Sequence, residues 1–124
     1  EYYIQAQYYS YSLIRMVPAM KQLEEKPGEH MTFVLQVHSG YGPVPVPEDT
    51  AHEARLGYAF MRKREGVPPV RTDVSLVKAL QRRIIRMEVQ MPEQPGDYQL
   101  KFCAFAGVLP PTHNSESVKI KVKE

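Results

Sequence analysis

Cys103, four histidines and scattered carboxylates are the side chains of this sequence that chemistry could use. A thiol acts as a nucleophile only as thiolate, in an electropositive setting and with a base at hand. Cys103 lies inside the alternating run "YQLKFCAF", with Tyr98, Leu100, Phe102 and Ala104 on one side and Gln99, Lys101, Cys103 and Phe105 on the other. It reads as a packing residue on the outer register. His30, His38, His52 and His113 form neither an HExxH motif nor a Cys/His pairing. His30 and His38 fall on one extended stretch, about 26 Å apart at strand rise, too far to share an ion. No GxSxG elbow occurs. "SGYGPVP" has glycines but neither the lysine nor the following helix of a phosphate loop. Glu24 and Glu25 sit in a turn and Glu48 and Asp49 in a loop, so no carboxylate pair is set up for acid–base work. The expectation is a chain without catalytic centre, metal or cofactor.

Binding chemistry is better represented. Arg62 and Arg64 of "MRKRE", with Arg82, Arg83 and Arg86 of "QRRIIR", form one basic patch if their strands are neighbours. Glu65, Glu88 and Glu93 dilute that patch, and no aromatic residues alternate with the arginines as on a nucleic-acid stacking platform. A nucleic-acid partner is therefore the secondary reading, and a solvated face the plain one. Two long loops, Ser39 to Glu53 and Ala106 to Glu116, mix prolines with apolar residues. Tyr41, Val44 and Val46 in the first, and Val108 and Leu109 in the second, are the candidates for contact with a protein partner, since loops at the ends of a sandwich carry binding residues. A free strand edge is the other candidate surface.

The elements that must position these residues are strands. "HMTFVLQVH" alternates with Met31, Phe33, Leu35 and Val37 inward; "RRIIRMEVQM" does so with Ile85, Met87, Val89 and Met91. "SVKIKVKE" sets Val118, Ile120 and Val122 against Lys119, Lys121 and Lys123, a lysine face suited to a guarded sheet edge. "RLGYAFMRK" reads as a further strand, and Val70 to Val77 as a weaker extended stretch. The start of the chain, which holds most of the tyrosines, suits an extended strand, although Leu13 to Leu23 could instead form a short helix started or broken by Pro18. Proline- and glycine-bearing turns separate these runs, and little convincing helix is left. The pattern predicts an all-β, antiparallel immunoglobulin/fibronectin-type-III-like sandwich of about seven strands. Residues 1–29 form an N-terminal strand and turn, open to being the tail of a preceding domain, and residues 30–124 the sandwich.

With 124 residues the chain suits one modest core, and 43% hydrophobic against 24% charged residues is a globular composition. A net charge of +2 does not by itself argue for nucleic acid or an anionic membrane. No apolar run reaches the roughly 18 residues of a membrane-spanning helix, and no signal-peptide pattern is visible. The abrupt start without Met predicts a segment of a longer protein. One cysteine permits no internal disulfide, which favours a reducing, intracellular compartment and argues against the remaining alternative, an extracellular adhesion-type immunoglobulin-like binding domain.

The order of segments carries a resemblance. "MTFVLQV", "GPVPVPEDTAHEAR", "LGYAFMRK", "VSLVKALQRR", "RMEVQMPEQPGDYQLKF" and "VKIKVKE" follow one another as in the closing domain of the Sec-sixty-three unit. That fibronectin-like sandwich ends the J-domain translocation protein of the endoplasmic reticulum and the cassettes of large spliceosomal-type RNA helicases. The Pro95-Gly96-Asp97-Tyr98 corner and the strand after it resemble the family's "APxxPGxYxYT". The family's tryptophan pair is absent, with Leu56, Gly57 and Tyr58 in that region, and "FAGVLPPTHN" stands where the family has "SDSYxGxD". The resemblance implies a non-catalytic protein-binding role. In the translocation branch this is docking to cytosolic loops of the protein-conducting channel, on the cytosolic face of the endoplasmic reticulum. In the helicase branch, with a nuclear setting, it is packing on the cassette and receiving regulatory partners. The small net charge and the Pro-Gly-Asp-Tyr match favour the translocation branch.

Overall fold

A computed structural model describes residues 14–39, 55–62, 68–105, 112–113 and 116–124. The elements run β1 (Ile14–Pro18), β2 (Gln22–Glu25), β3 (His30–Ser39), β4 (Arg55–Met61), β5 (Val70–Ser75), α1 (Leu76–Arg82), β6 (Ile84–Gln90), β7 (Gly96–Phe105), β8 (Thr112–His113) and β9 (Val118–Val122). They form an all-β sandwich. One sheet has three strands in the order β1-β3-β6; the larger sheet runs β2-β9-β7-β4-β5, with β8 added beside β7.

Period-two alternation produces the layers. β6 alternates exposed and buried without a break, and β9 likewise. Phe33, Leu35 and Val37 from β3 and Ile85, Met87 and Val89 from β6 face Leu56, Tyr58 and Phe60 of β4 and Leu100 and Phe102 of β7 in one core. Phe33 and Phe102 meet across the layers edge to face, ring centroids 5.7 Å apart. The inward sets expected for β3 and β6 are those observed, with Met31 only partly buried.

The first strand is extended, not helical. β1 pairs antiparallel with β3, the chain crosses over residues 19–21, and β2 then pairs parallel with β9. The Ala19 amide donates to the Val34 carbonyl and the Lys119 amide to the Lys21 carbonyl, so the crossing leaves these groups paired. Gly28, at φ 74°, turns the chain back into β3.

Two expectations are corrected. Val70 to Val77 is not one extended stretch: β5 ends at Ser75, whose hydroxyl accepts from the Lys78 amide as the N-cap of α1. Leu76 and Ala79, three residues apart, place their side chains in the core, which stabilises a helix despite the valines around it. Arg83 closes α1 in the left-handed conformation at φ 65°; its amide donates to Ala79 and its carbonyl accepts from Val37. Nor is the lysine-bearing last strand an edge. β9 lies between β2 and β7, and Lys119 and Lys121 simply face solvent.

In β4 both registers are buried. The register of β4 on β5 shifts between Arg55 and Gly57, and the Thr72 hydroxyl donates to the Leu56 carbonyl at 2.6 Å within this bulge. A Cβ on Gly57 would collide with the Val70 carbonyl oxygen and the Phe105 ring. Gly57→Ala should therefore destabilise the fold by about 1–3 kcal/mol through overpacking, read as a lower denaturation midpoint with an unchanged slope in urea.

Candidate functional site

The residues named from sequence separate. Tyr41, Val44, Val46, Val108, Leu109 and Arg64 lie outside the described residues, as does His52. Arg62 continues the inward register of Tyr58 and Phe60 and caps the end of the core. Its guanidinium lies over the Tyr98 ring at 4.7 Å, donates to the Pro95 carbonyl at 2.9 Å and to Gln94 Oε1 at 3.3 Å. Gly96 leaves the room for it, since a Cβ there would strike the guanidinium. Tyr98 Oη donates to the Gln94 carbonyl at 2.8 Å, the backbone-bound tyrosine of a sandwich corner. Arg62 therefore locks the β6–β7 crossing.

Arg82, Arg83 and Arg86 are exposed and near in sequence, at the end of α1 and on β6 of the three-stranded sheet. Arg62 follows β4 of the larger sheet, so the basic residues divide between the two layers. Arg86 sits opposite Val34 on β3, and Ile84 opposite Gln36. Val34 and Ile84 are 40% and 57% exposed, so apolar groups lie beside the arginine on this outer face.

Backbone geometry singles out β6. The Met91 amide donates to Glu29 and the Val37 amide to Arg83, so odd-numbered residues of this segment direct their backbone groups toward β3. The Gln90 amide points the other way, to Tyr58 Oη at 3.2 Å. By the antiparallel pattern, the N–H and C=O groups of Ile84, Arg86 and Glu88 also point away from β3. Among the described residues no strand pairs there. The other edges are blunted: β1 ends at Pro18, β2 has four residues, and β5 carries the bulge. β6 has seven residues, with neither proline nor register shift. Because residues 19–21 join the β1 and β2 edges on one side, the β6 and β5 edges adjoin on the other, linked by α1.

The remaining features are quieter. An open depression of about 1310 Å³ lies on the outer face of the larger sheet, where Lys121 sits between Glu24 and Asp97 on its neighbours and opposite charges offset. His30 Nδ1 is 3.2 Å from Glu88 Oε1, both exposed. Among the described residues no group of three or more His, Cys, Asp or Glu could hold a metal. Cys103 is on the outer register, as expected, yet fully buried where β4 places Gly57 opposite it. Burial pushes its thiol up to about 12.

Sequence reasoning missed the β6 edge because alternation identifies faces, not neighbours. The exposed Ile84 beside Ile85 was the available signal. No protein-family model and no curated protein matches the sequence.

Two outcomes follow from this geometry. Tyr98→Phe leaves the Gln94 carbonyl without its donor and should cost about 1 kcal/mol in chemical denaturation. The unfolded Cys103 thiol ionises from its ordinary 9.0 while the folded one stays neutral to about 12, so the unfolded state binds fewer protons between these values. Stability should hold below pH 9 and fall above it relative to Cys103→Ala, with Cys103 modified by thiol reagents only on unfolding.

Proposed function

We propose that this chain is a non-catalytic protein-interaction module that takes an extended segment of a protein partner along the β6 edge. The observation that carries this reading is the outward-facing backbone of Ile84, Arg86 and Glu88 beside the exposed side chains of Val34 and Ile84. An added strand gains main-chain hydrogen bonds there, and alternate side chains supply selectivity. The strand order favours a sandwich of immunoglobulin and fibronectin type: β1, β3 and β6 correspond to strands A, B and E, and β4, β7 and β9 to C, F and G. In the seven-strand form a strand D covers E; here β5 pairs with β4 instead, and among the described residues no strand covers β6.

The resemblance to the closing domain of the Sec-sixty-three unit extends the proposal to the partner: cytosolic loops of the protein-conducting channel at the endoplasmic reticulum. The helix in "VSLVKALQRR", where the family has a basic "ISIKR"-type stretch, is a further departure from the family pattern. A nucleic-acid role would rest on Arg82, Arg83 and Arg86 without Arg62.

Arg86→Pro tests the edge. Its N–H faces away from β3, so proline removes an edge donor while sparing the ladder. Wild type should retain the channel's cytosolic loops in a pull-down and Arg86→Pro should not, with both folded by circular dichroism. Retention by Arg86→Pro, but loss on charging Tyr41 and Leu109, would move the partner to the end loops and sink the edge reading. RNA binding that falls steeply with salt would instead favour the nucleic-acid role.

A further inference from the structure

We propose that the β6 edge also pairs with a second copy of this chain, antiparallel about a two-fold axis through Met87. This rests on the edge reading above and adds the occupant and its register. Antiparallel self-pairing needs residues whose backbone groups face the edge to lie opposite one another, which here means even against even. With the axis at Met87, Arg86 of each copy lies opposite Glu88 of the other, and each such pair exchanges both N–H···O bonds. Ile84 lies opposite Gln90 of the second copy.

Charge selects this register. Shifting the pairing by two residues in one direction sets Arg86 against Arg86, and in the other Glu88 against Glu88. Parallel pairing through this edge of both copies would turn one copy over, so their outward residues would fall on opposite faces of the joined sheet. Only the Met87-centred arrangement places opposite charges across the join on both sides of the axis, and like charges directly opposite are destabilising. The charges that would guard this strand against other sheets are thus complementary to themselves. β6 is regular over seven residues, and its side chains at 84, 86, 88 and 90 are exposed, with Glu88 also 3.2 Å from His30 of its own chain. Joined in this way, two three-stranded sheets become one continuous sheet in the order β1-β3-β6-β6-β3-β1. The edge-facing backbone groups of Arg86 and Glu88, which have no strand partner among the described residues, are then paired.

Sedimentation of the whole chain over a concentration series tests this. Wild type should show a reversible monomer–dimer equilibrium. R86E sets Glu opposite Glu and E88R sets Arg opposite Arg, and each should weaken dimerisation at least about tenfold. The doubly reversed R86E/E88R chain regenerates the opposite-charge pairs and should recover it. Monomer at every concentration, or a dimer indifferent to R86E and E88R, overturns the inference; so does loss in both single variants without recovery in the double. A wild-type chain that stays monomeric yet binds the channel loops, and loses them with Arg86→Pro, removes the homotypic pairing alone and leaves the interaction-module reading intact.

Discussion

Two sheets can share one core only if the chain crosses between them without leaving buried backbone groups unpaired, and the rest of this structure depends on how that constraint is met. The crossing from β1 to β2 is met by paired amides at Ala19 and Lys119. The crossing from β5 to β6 is met by a short helix whose caps, Ser75 and Arg83, satisfy its ends and whose Leu76 and Ala79 fill the core. The crossing from β6 to β7 is met by Tyr98, which binds the Gln94 carbonyl while Arg62 takes that of Pro95. Each device is local, yet each decides which strands end up adjacent. Because α1 carries the chain across as a helix, those residues form no strand beside β6.

Much of the fold was legible because alternation is a direct physical consequence of strand geometry. The inward residues of β3, β6, β7 and β9 follow from period two, and a tyrosine after Pro95 and Gly96 suffices to suggest a corner. Neighbours are less legible than faces. The lysines of β9 look like an edge guard, but Lys119 and Lys121 would face water equally well from an interior strand, which is where they are. α1 was hidden by the valines at 74 and 77; the helical signal is Ser75 ahead of apolar residues at 76 and 79, a pattern too short to outweigh them.

The basic patch shows the same distinction. "MRKRE" and "QRRIIR" look alike as sequences, but Arg62 follows Leu56, Tyr58 and Phe60 at even spacing. Continuing that register places it over the end of the core, half-buried, where its charge meets a ring face and a carbonyl. Arg86 follows no such run: its neighbours at 85 and 87 are the buried ones. The β6 edge itself could not be read from sequence, since it depends on which strands come to lie side by side in space.

The two outer faces differ in a way that bears on where a partner can act. On the larger sheet, the centre is closed by small residues: Gly57 lies under the Val70 carbonyl and Phe105, and Cys103 opposite it is fully buried. Toward β2 the same face places Lys121 in register between Glu24 and Asp97, so charges of opposite sign alternate across the strands. A partner docking there would gain little from these charged groups, which must be desolvated to be covered. The three-stranded sheet instead exposes Val34 and Ile84 and ends in a strand whose alternate amides have no strand partner among the described residues. Apolar area and unpaired backbone are the two terms from which strand addition draws its free energy. Ile84 on β6 and Val34 beside it on β3 supply the first, and the edge-facing groups of Ile84, Arg86 and Glu88 the second.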